Sequence, residues 1–295
     1  MHTATYYIDL LLSGITVGSL YALIAIGYTM VYGILRLINF AHGDIFMMAG
    51  FFMVYISASM PMAVAIPVVL IMTVALGLLI ERAAYKPLRS APRMSVMISA
   101  IGVSYLLQNL ATYITGGLAR PYPEIPFLKG TFMLGALKIK VITVVTPLLT
   151  VLLVIALVLF INQTKTGMAM RAVSRDFDTA RLMGIKVNNI ISVTFIIGSF
   201  LAGVGSILYF SNYGQVSPTI GAMPGLKAFV AAVFGGIGSI PGAVLGAYII
   251  GICESLIKAN DAIAIFSNAF TFALLILVLL FKPNGMFGEK LAEKV

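Results

Sequence analysis

Long apolar runs separated by short polar segments dominate this chain. About 20 apolar residues in helical form span a bilayer, so the runs predict membrane helices near residues 8–35, 45–60, 62–80, 95–116, 141–161, 189–210 and 264–281. A further apolar stretch, 226–258, is too long for one ordinary span and is interrupted at 235–242 by Gly-Gly-Ile-Gly-Ser-Ile-Pro-Gly. It predicts two short helices hinged at the interruption, either spanning or partly re-entrant. A broken helix at membrane depth is tolerated only inside protein or beside a water-filled cavity.

The composition agrees with this pattern. Apolar residues make up 60% of the 295 and charged residues only 10%, against roughly 45–50% and 25% in soluble domains. These values exclude a soluble enzyme, a disordered chain and a nucleic-acid-binding domain. They predict one all-α membrane domain over residues 1–295, a polytopic bundle of about eight or nine spans that contacts membrane lipid.

The formal charge of +9 predicts orientation rather than a nucleic-acid partner, because Lys and Arg accumulate in cytoplasmic loops. Segments 81–94 and 162–188 are basic, as is the tail with Lys282, Lys290 and Lys294. Placing all three segments on the cytoplasmic side predicts an N-terminus outside the cytoplasm and a C-terminus inside it. The loop 117–140, with four basic residues, is the exception, since this scheme places it outside.

Small residues repeat at helical spacing in two places. They are Gly14, Gly18 and Ala22 in the first span, and Gly238, Gly242 and Gly246 in the glycine-rich stretch. Such faces let helix backbones approach closely in lipid. The repeats predict a tightly packed bundle.

Catalytic motifs are absent from the sequence. It contains no Gly-x-Ser-x-Gly, His-Glu-x-x-His or Cys-x-x-Cys, and His2, His42 and Cys253 are too few for a zinc site. No Gly-Lys dipeptide occurs, which excludes a phosphate-binding Walker loop. We expect no catalytic residue, metal or cofactor in this chain, and ATP with Mg on partner subunits if transport is ATP-driven.

The segment 167–186 predicts a short amphipathic helix between two spans. Its apolar stripe, Val173, Phe177, Ala180 and Gly184, follows the period of one helix face. Arg171, Arg175, Asp178 and Arg181 lie largely away from that stripe. Such a helix is a solvated loop element, lies along the membrane, or docks into a partner's groove.

Part of this segment resembles the coupling motif of bacterial ABC importer permeases, Glu-Ala-Ala-x-x-x-Gly. Asp178, Thr179, Ala180 and Gly184 match its spacing, with Asp in place of Glu and Thr in place of the first Ala. The Leu-Pro that often follows further on is missing. The resemblance implies that Arg171, Arg175 and these four residues contact an ATPase subunit.

Four further motifs are similar to those of the high-affinity branched-chain amino acid permeases of the LivH type. In chain order they begin at Gly14, Glu81, Gly235 and Lys282: Gly-Ile-Thr-Val-Gly-Ser-Leu-Tyr-Ala-Leu, continued by Asn-Phe-Ala-His-Gly-Asp at 39–44; Glu-Arg-Ala-Ala-Tyr-Lys-Pro-Leu-Arg; Gly-Gly-Ile-Gly-Ser-Ile-Pro-Gly-Ala; and Lys-Pro-Asn-Gly-Met-Phe-Gly. The resemblance runs from about residue 8 to 288. It implies a bacterial inner-membrane subunit with a LivM-like second permease, two cytoplasmic ATPase subunits and a periplasmic amino-acid-binding protein.

Polar residues inside or between the spans are candidates for a translocation path or gate, because such residues are costly in lipid. The candidates are Tyr21, Asn39, His42, Asp44, Gln108, Asn109 and Glu254. Purely structural interpretations remain open: Gln108 and Asn109 form hydrogen bonds with neighbouring helices, and Asn39 and Asp44 cap helix ends near the cytoplasmic face. Glu254 needs a partner or a proton if buried, and Lys258 lies one turn away.

The leading hypothesis is therefore a permease of an ATP-driven importer for leucine, isoleucine and valine. The same architecture serving urea, short amides or other amino acids is the alternative within the class. An ion-coupled secondary transporter is the alternative outside it. That alternative expects buried acid or base relays and inverted repeats, and the sequence shows no clear repeat.

Overall fold

Helices dominate the structure, a computed structural model that describes residues 4–89, 91–134, 137–282 and 285–287. In chain order they are α1 (Ala4–Leu35), α2 (His42–Ser57), α3 (Met62–Ile80), α4 (Arg93–Thr115), α5 (Val141–Gln163), α6 (Lys165–Arg175), α7 (Phe177–Leu182), α8 (Val187–Tyr213), α9 (Ala222–Gly235), α10 (Ile240–Lys258) and α11 (Ser267–Phe281). A π-helical turn, Glu81–Tyr85, extends α3, and a 3-10 turn, Ala264–Phe266, precedes α11. Within the described ranges, seven helical segments are long and apolar enough to cross a membrane, and α2 and α9 are shorter apolar helices. The prediction of a polytopic helical membrane protein is confirmed.

The glycine-rich stretch forms two helices, as its interruption predicts. Helix α9 ends at Gly235 and α10 begins at Ile240, and Ser239 Oγ caps α10 by accepting the Gly242 N–H at 3.2 Å. Gly238, predicted on a packing face, instead lies in the turn with φ 101°, and a Cβ there would meet nothing within 4 Å. Glycine is required at this position by backbone conformation and not by helix contact.

The bundle has two distinct ends. Four short strands mark one of them, the hairpin end: β1 (Arg120–Pro121), β2 (Thr131–Leu134), β3 (Leu137–Lys140) and β4 (Gln215–Val216). Strand β1 pairs antiparallel with β4 and β2 with β3. Helices α6 and α7 mark the other, the α6–α7 end, because they connect the last turn of α5 with the first turn of α8.

The basic segments gather at the α6–α7 end. The Arg36 guanidinium donates to the Ser174 carbonyl at 3.1 Å, and Arg89 donates to Asn188. The Met286 N–H donates to the Phe234 carbonyl at 2.9 Å, which brings the described part of the tail, 282 and 285–287, to the same end. Lys290 and Lys294 lie outside the described residues. The basic loop 117–140 forms the hairpin end, opposite the other basic segments. It is the loop that does not fit the orientation predicted from positive charge.

Two helix pairs in the bundle run in opposite directions. Helix α1 runs to the α6–α7 end, and α2 then begins inside the bundle and runs to the hairpin end, where Val216 packs over it. Helix α8 runs to the hairpin end, and α9 then begins inside the bundle and runs to the α6–α7 end. The α1–α2 and α8–α9 pairs thus have inverted topology, a relation that the sequence did not reveal.

Close helix contacts through small residues hold the centre together. A Cβ on Gly14 or Gly18 would lie 2.9 or 2.8 Å from backbone of α10, and one on Gly246 would lie 2.3 Å from a carbonyl oxygen of α9. A Cβ on Gly242 would lie 2.4 Å from the Gly235 carbonyl oxygen. Helices α1 and α8 are the most buried of the long helices, whereas α5 and α11 are peripheral.

Candidate functional site

The N-terminal ends of the two short helices meet inside the bundle. A Cβ on Gly43 at the start of α2 would lie 2.6 Å from the carbonyl oxygen of Gly221, and one on Gly225 in α9 would lie 2.9 Å from the Gly43 Cα. Only glycine permits this approach. We call the contact of Gly43, Gly221 and Gly225, with the side chains of Tyr28 and His42 beside it, the half-helix junction.

Tyr28 and His42 pack edge to face at the junction, with ring centroids 5.0 Å apart. The Tyr28 hydroxyl lies next to the Gly225 backbone, since a Cβ there would come within 3.2 Å of it. His42 is 2% exposed, and its Nε2 has no hydrogen-bond partner among the described residues. A buried ring nitrogen without a partner is uncommon, and this one lies against the α1 backbone, since a Cβ on Gly27 would come within 2.1 Å of it.

The junction lies deeper than the sequence suggested. His42 packs against Gly27, which precedes the end of α1 at Leu35 by eight residues, about 12 Å along the helix axis. Ala41 occupies the N-cap position of α2, and no side chain caps this helix. The alternative that Asn39 or Asp44 caps α2 near the cytoplasmic face therefore does not describe the structure.

Asp44 is held by two side chains of α4. Gln108 Nε2 donates to Asp44 Oδ1 at 3.0 Å, and the Ser104 hydroxyl donates to Oδ2. The carboxylate is 2% exposed and lies in the first turn of α2, where a negative charge is favoured by the helix dipole. Asn109 is not part of this group, because it lies on the exposed face of α4 and its Nδ2 donates to the Tyr105 carbonyl.

A second buried cluster surrounds Glu254 in α10. Its Oε1 accepts from Lys227 Nζ and Lys258 Nζ, both at 2.6 Å, and its Oε2 accepts from the Tyr21 hydroxyl at 2.9 Å. Lys227 also lies over the Tyr21 ring, 5.9 Å from its centroid. The structure thus brings together Tyr21, Glu254 and the neighbouring Lys258. It adds Lys227 of α9 as a second cation, and this one is buried.

Asn39 lies in the segment between α1 and α2, apart from both clusters. Its Oδ1 accepts from the Tyr85 hydroxyl at 2.8 Å, while its Nδ2 has no partner among the described residues. This bond joins the α1–α2 connection to the π-helical turn after α3. Asn39 is therefore placed to position α2.

The segment 167–186 forms two helices rather than one. Asp176 interrupts it, because its Oδ1 accepts the N–H groups of Asp178 and Thr179 at 2.9 and 3.1 Å and so caps a new helix, α7. Gly184 closes α7 with φ 82°, and the Ile185 N–H returns to the Ala180 carbonyl. The predicted stripe is buried at Val173 and Ala180 but exposed at Gly184.

The two helices present different surfaces. Arg171 in α6 donates to the Ile161 carbonyl at 2.6 Å and to Asn162 Oδ1 at 3.0 Å, which ties α6 to the end of α5. Asp178 and Thr179 are exposed on α7, and Leu182 and Met183 at its tip are 88% and 78% exposed. Arg175 is exposed and makes no hydrogen bond or ion pair with the described residues. Most of the freely accessible contact surface is thus on α7.

An ion pair fixes the turn that follows α3. Glu81, 1% exposed, pairs with Arg89 and accepts from the Ser192 hydroxyl at 3.1 Å, while Arg89 also donates to Asn188. Burial lowers the pKa of Arg89 and the Glu81 carboxylate opposes that shift. The pair connects the turn after α3 to α8, next to α7.

Four residues of these clusters were missed by sequence reasoning: Lys227, Tyr28, Ser104 and Tyr85. Lys227 carried a usable signal, since it is the one ionisable residue in the apolar stretch that becomes α9. Ser104 precedes Gln108 by one helical turn and so shares its face. Within the described residues, no three His, Cys, Asp or Glu side chains are grouped so that they could hold a metal ion.

Comparison with known proteins agrees with the motifs. A family model described as "Branched-chain amino acid transport system / permease component" matches residues 10–279. The chain is 42% identical to the high-affinity branched-chain amino acid transport system permease protein BraD of Pseudomonas aeruginosa, and 40% identical to LivH of Escherichia coli K12, with 98% of each chain covered in both cases. It is 26% identical to the autoinducer 2 import system permease protein LsrC of Yersinia enterocolitica over 56% of this chain and 46% of that one. The full-length matches confirm the resemblance seen in the motifs, and the chain belongs to the branched-chain amino acid transport permease family.

Proposed function

We propose that this chain is the permease subunit of an ATP-driven importer that carries leucine, isoleucine and valine across the bacterial inner membrane. The observation that carries the proposal is the near full-length identity to permeases named for branched-chain amino acid transport. The sequence has no Walker loop, so ATP and Mg belong to partner subunits. This chain contributes the translocation path and the surface through which the ATPase subunits act on it.

The half-helix junction and the Glu254 cluster supply the chemistry that a zwitterion needs. Two helix N-termini attract a carboxylate, and broken helices in transporters direct such ends at anionic substrate groups. Glu254 and Lys227 offer one charge of each sign, and the apolar walls of α1 and α8 suit a branched side chain. In the present arrangement the junction is closed, glycine against glycine, so passage requires α2 and α9 to separate.

Coupling is proposed to act through α7. Its exposed tip joins charged and apolar side chains, Asp178 beside Leu182 and Met183, which suits a groove on a soluble partner. Thr179, Ala180 and Gly184 shape α7 in this scheme, and Arg171 holds the adjoining α6 against the end of α5. A shift of the docked helix is passed to the bundle as a rigid-body movement.

The proposed assembly pairs this chain with a LivM-like permease, two cytoplasmic ATPase subunits and a periplasmic amino-acid-binding protein. Positive charge at the α6–α7 end supports a cytoplasmic location for that end. The N-terminus is then periplasmic and the C-terminus cytoplasmic. The binding protein docks at the hairpin end.

The test is uptake of labelled leucine into proteoliposomes that hold this chain with the subunits encoded beside it. We expect ATP-dependent uptake that isoleucine and valine compete for and urea does not. An ATP-dependent complex that ignores leucine would keep the architecture and move the substrate to urea, short amides or other amino acids. Uptake without ATPase subunits that an ionophore abolishes would favour an ion-coupled transporter, a class in which inverted helix units also occur.

A matched pair of variants tests the coupling contact. Asp178→Lys reverses an exposed charge on α7, and Asp178→Glu preserves it. We expect the lysine variant to lose ATP-dependent uptake at an unchanged membrane level, and the glutamate variant to retain it. Normal uptake by Asp178→Lys would contradict a contact through this face of α7.

A further inference from the structure

A cavity of about 760 Å³ opens at the α6–α7 end. It lies between the last turns of α1 and α5, helix α6 and the turn that joins α9 to α10. Three arginines line it, Arg36, Arg171 and Arg175. Among the described residues, no Asp or Glu lines it.

The charge of these arginines is not neutralised by the described part of the chain. Arg36 donates to the carbonyl of Ser174, and Arg171 to the carbonyl of Ile161 and the amide of Asn162. All three acceptors are neutral. Arg175 has no such partner within the ranges described. Three like charges around one space repel each other, and an anion bound between them would remove that cost and take up the free donors.

Part of the remaining wall is apolar, although Tyr32, Asn162, Ser174 and Ser239 also line the cavity. The apolar part is formed by Val158 and Ile161 of α5, by Val233 and Ile240 at the α9–α10 turn, and by Phe287. Helix α5 is a peripheral membrane-length helix, so this wall lies at the edge of the bundle. A cavity that combines guanidinium groups with apolar side chains, at the end of a membrane helix, matches a molecule with an anionic phosphate and acyl chains.

We propose that this cavity binds an anionic phospholipid, with its phosphate between Arg36 and Arg175 and an acyl chain along Val158 and Ile161. Basic pockets between membrane helices on the cytoplasmic side are a recognised setting for such head groups. A free phosphate would use the arginines but leave the apolar wall exposed to water. The lipid would join α1, α5 and α6 at the α6–α7 end of the bundle. Its binding requires neither the proposed substrate nor an ATPase subunit.

The experiment is native mass spectrometry of the full chain, purified in detergent with any membrane subunit that accompanies it. Phosphatidylglycerol is titrated beside phosphatidylcholine with the same acyl chains, and inorganic phosphate is added as competitor. We expect phosphatidylglycerol to bind and phosphatidylcholine to bind far more weakly. Millimolar phosphate should displace little of the bound lipid.

Arg175→Gln is the decisive variant, because it removes a guanidinium that makes no hydrogen bond or ion pair with the described residues and so leaves the fold intact. We expect it to weaken phosphatidylglycerol binding roughly fivefold, the factor that one basic residue near an anionic lipid surface supplies. Arg36→Gln should act in the same direction. Arg82→Gln is the matched control, since Arg82 is an exposed arginine that does not line the cavity, and it should leave binding unchanged.

Several results would overturn the proposal. Equal binding by Arg175→Gln and the unchanged chain would remove the cavity as the site. Complete displacement by inorganic phosphate would identify a free-anion site, and release of the lipid on addition of ATPase subunits would assign the arginines to a protein interface. Binding seen only in a chain cut after Phe287 would identify residues 288–295 as the normal occupant.

Discussion

The Glu254 cluster allows a double-mutant test of whether its buried charges depend on each other. Glu254→Gln leaves Lys227, 5% exposed, without a counter-ion. Removing one partner of a buried pair costs about 3–5 kcal/mol. Lys258 is half exposed and regains water, so its share is that of a surface pair, about 1 kcal/mol or less. We therefore expect Glu254→Gln to lower the free energy of unfolding by about 3 kcal/mol.

Lys227→Met should cost less, because Glu254 keeps Lys258 and the Tyr21 hydroxyl as partners. A hydrogen bond to a charged group is worth about 1.5–3 kcal/mol, and the lower value applies here. In the double variant no buried ion remains. Replacing a buried pair by uncharged side chains is often near neutral, so the double variant should cost no more than Lys227→Met alone.

The assay is equilibrium unfolding of the purified chain in bicelles, run on both single variants and the double variant. The expected interaction energy is about 3 kcal/mol or more, against about 0.3–0.5 kcal/mol for independent sites. Additive costs would refute the reasoning, because they would mean that Lys227 and Glu254 do not depend on each other. Leucine uptake by the same variants separates the two roles: a stable double variant without uptake assigns the charges to transport.

Three further predictions concern contacts at other positions. Gly43→Ala should cost about 1–3 kcal/mol through overpacking, since its Cβ would lie 2.6 Å from the carbonyl oxygen of Gly221, just before α9. Gly102→Ala, where a Cβ meets nothing within 4 Å, should be harmless, and equal unfolding free energies would contradict the close approach. Gly242→Leu should lower the amount of folded protein in the membrane, because a Cβ there comes within 2.4 Å of an α9 carbonyl oxygen; unchanged detergent-extracted yield and uptake would argue against this packing. Leu182→Asp, at an 88% exposed position, should change the unfolding free energy by no more than about 0.5 kcal/mol yet weaken co-purification of ATPase subunits; intact co-purification would remove Leu182 from the contact.

The broad fold was predictable because hydropathy reports directly on transfer from water to lipid. Six of the seven long helices in the described ranges and the hinge at 235–242 follow from apolar length and from Gly and Pro placement. The predicted span at 45–60 is instead the shorter helix α2, and α10, predicted to be short, is long enough to cross a membrane. The depth at which α2 begins was not predictable in this way. Asn39, His42 and Asp44 are polar and follow a long helix, so the pattern is typical of a surface turn. Each is buried against a different element: Asn39 against Tyr85, His42 against α1, and Asp44 against α4.

The candidate site was only partly predictable, because hydropathy does not say which helices become neighbours. Glu254 was expected to need a partner, and Lys258 was visible one turn away in the same helix. Lys227 precedes Glu254 by 27 residues and becomes its partner only when α9 folds back along α10. Asn109 shows the opposite limit, since adjacent residues on a helix point about 100° apart, and Gln108 alone faces Asp44.

The inverted helix pairs give a physical connection between the two ends of the bundle. Helix α9 begins at the half-helix junction and ends beside the turn that lines the arginine cavity. Arg36 links the end of α1 to α6 through the Ser174 carbonyl. A displacement of α6 therefore acts on α1 directly and on α9 through α1, which packs against it, and both helices contribute to the junction. Because the junction is closed by backbone-to-backbone glycine contacts that have no side chain to deform, a small shift of either helix separates them.

Gly43→Ala and Arg36→Gln should accordingly impair uptake for different reasons, the first by forcing the junction apart and the second by loosening its connection to α6. ATP hydrolysis that continues without uptake in Arg36→Gln would support this connection, whereas unchanged uptake would rule it out.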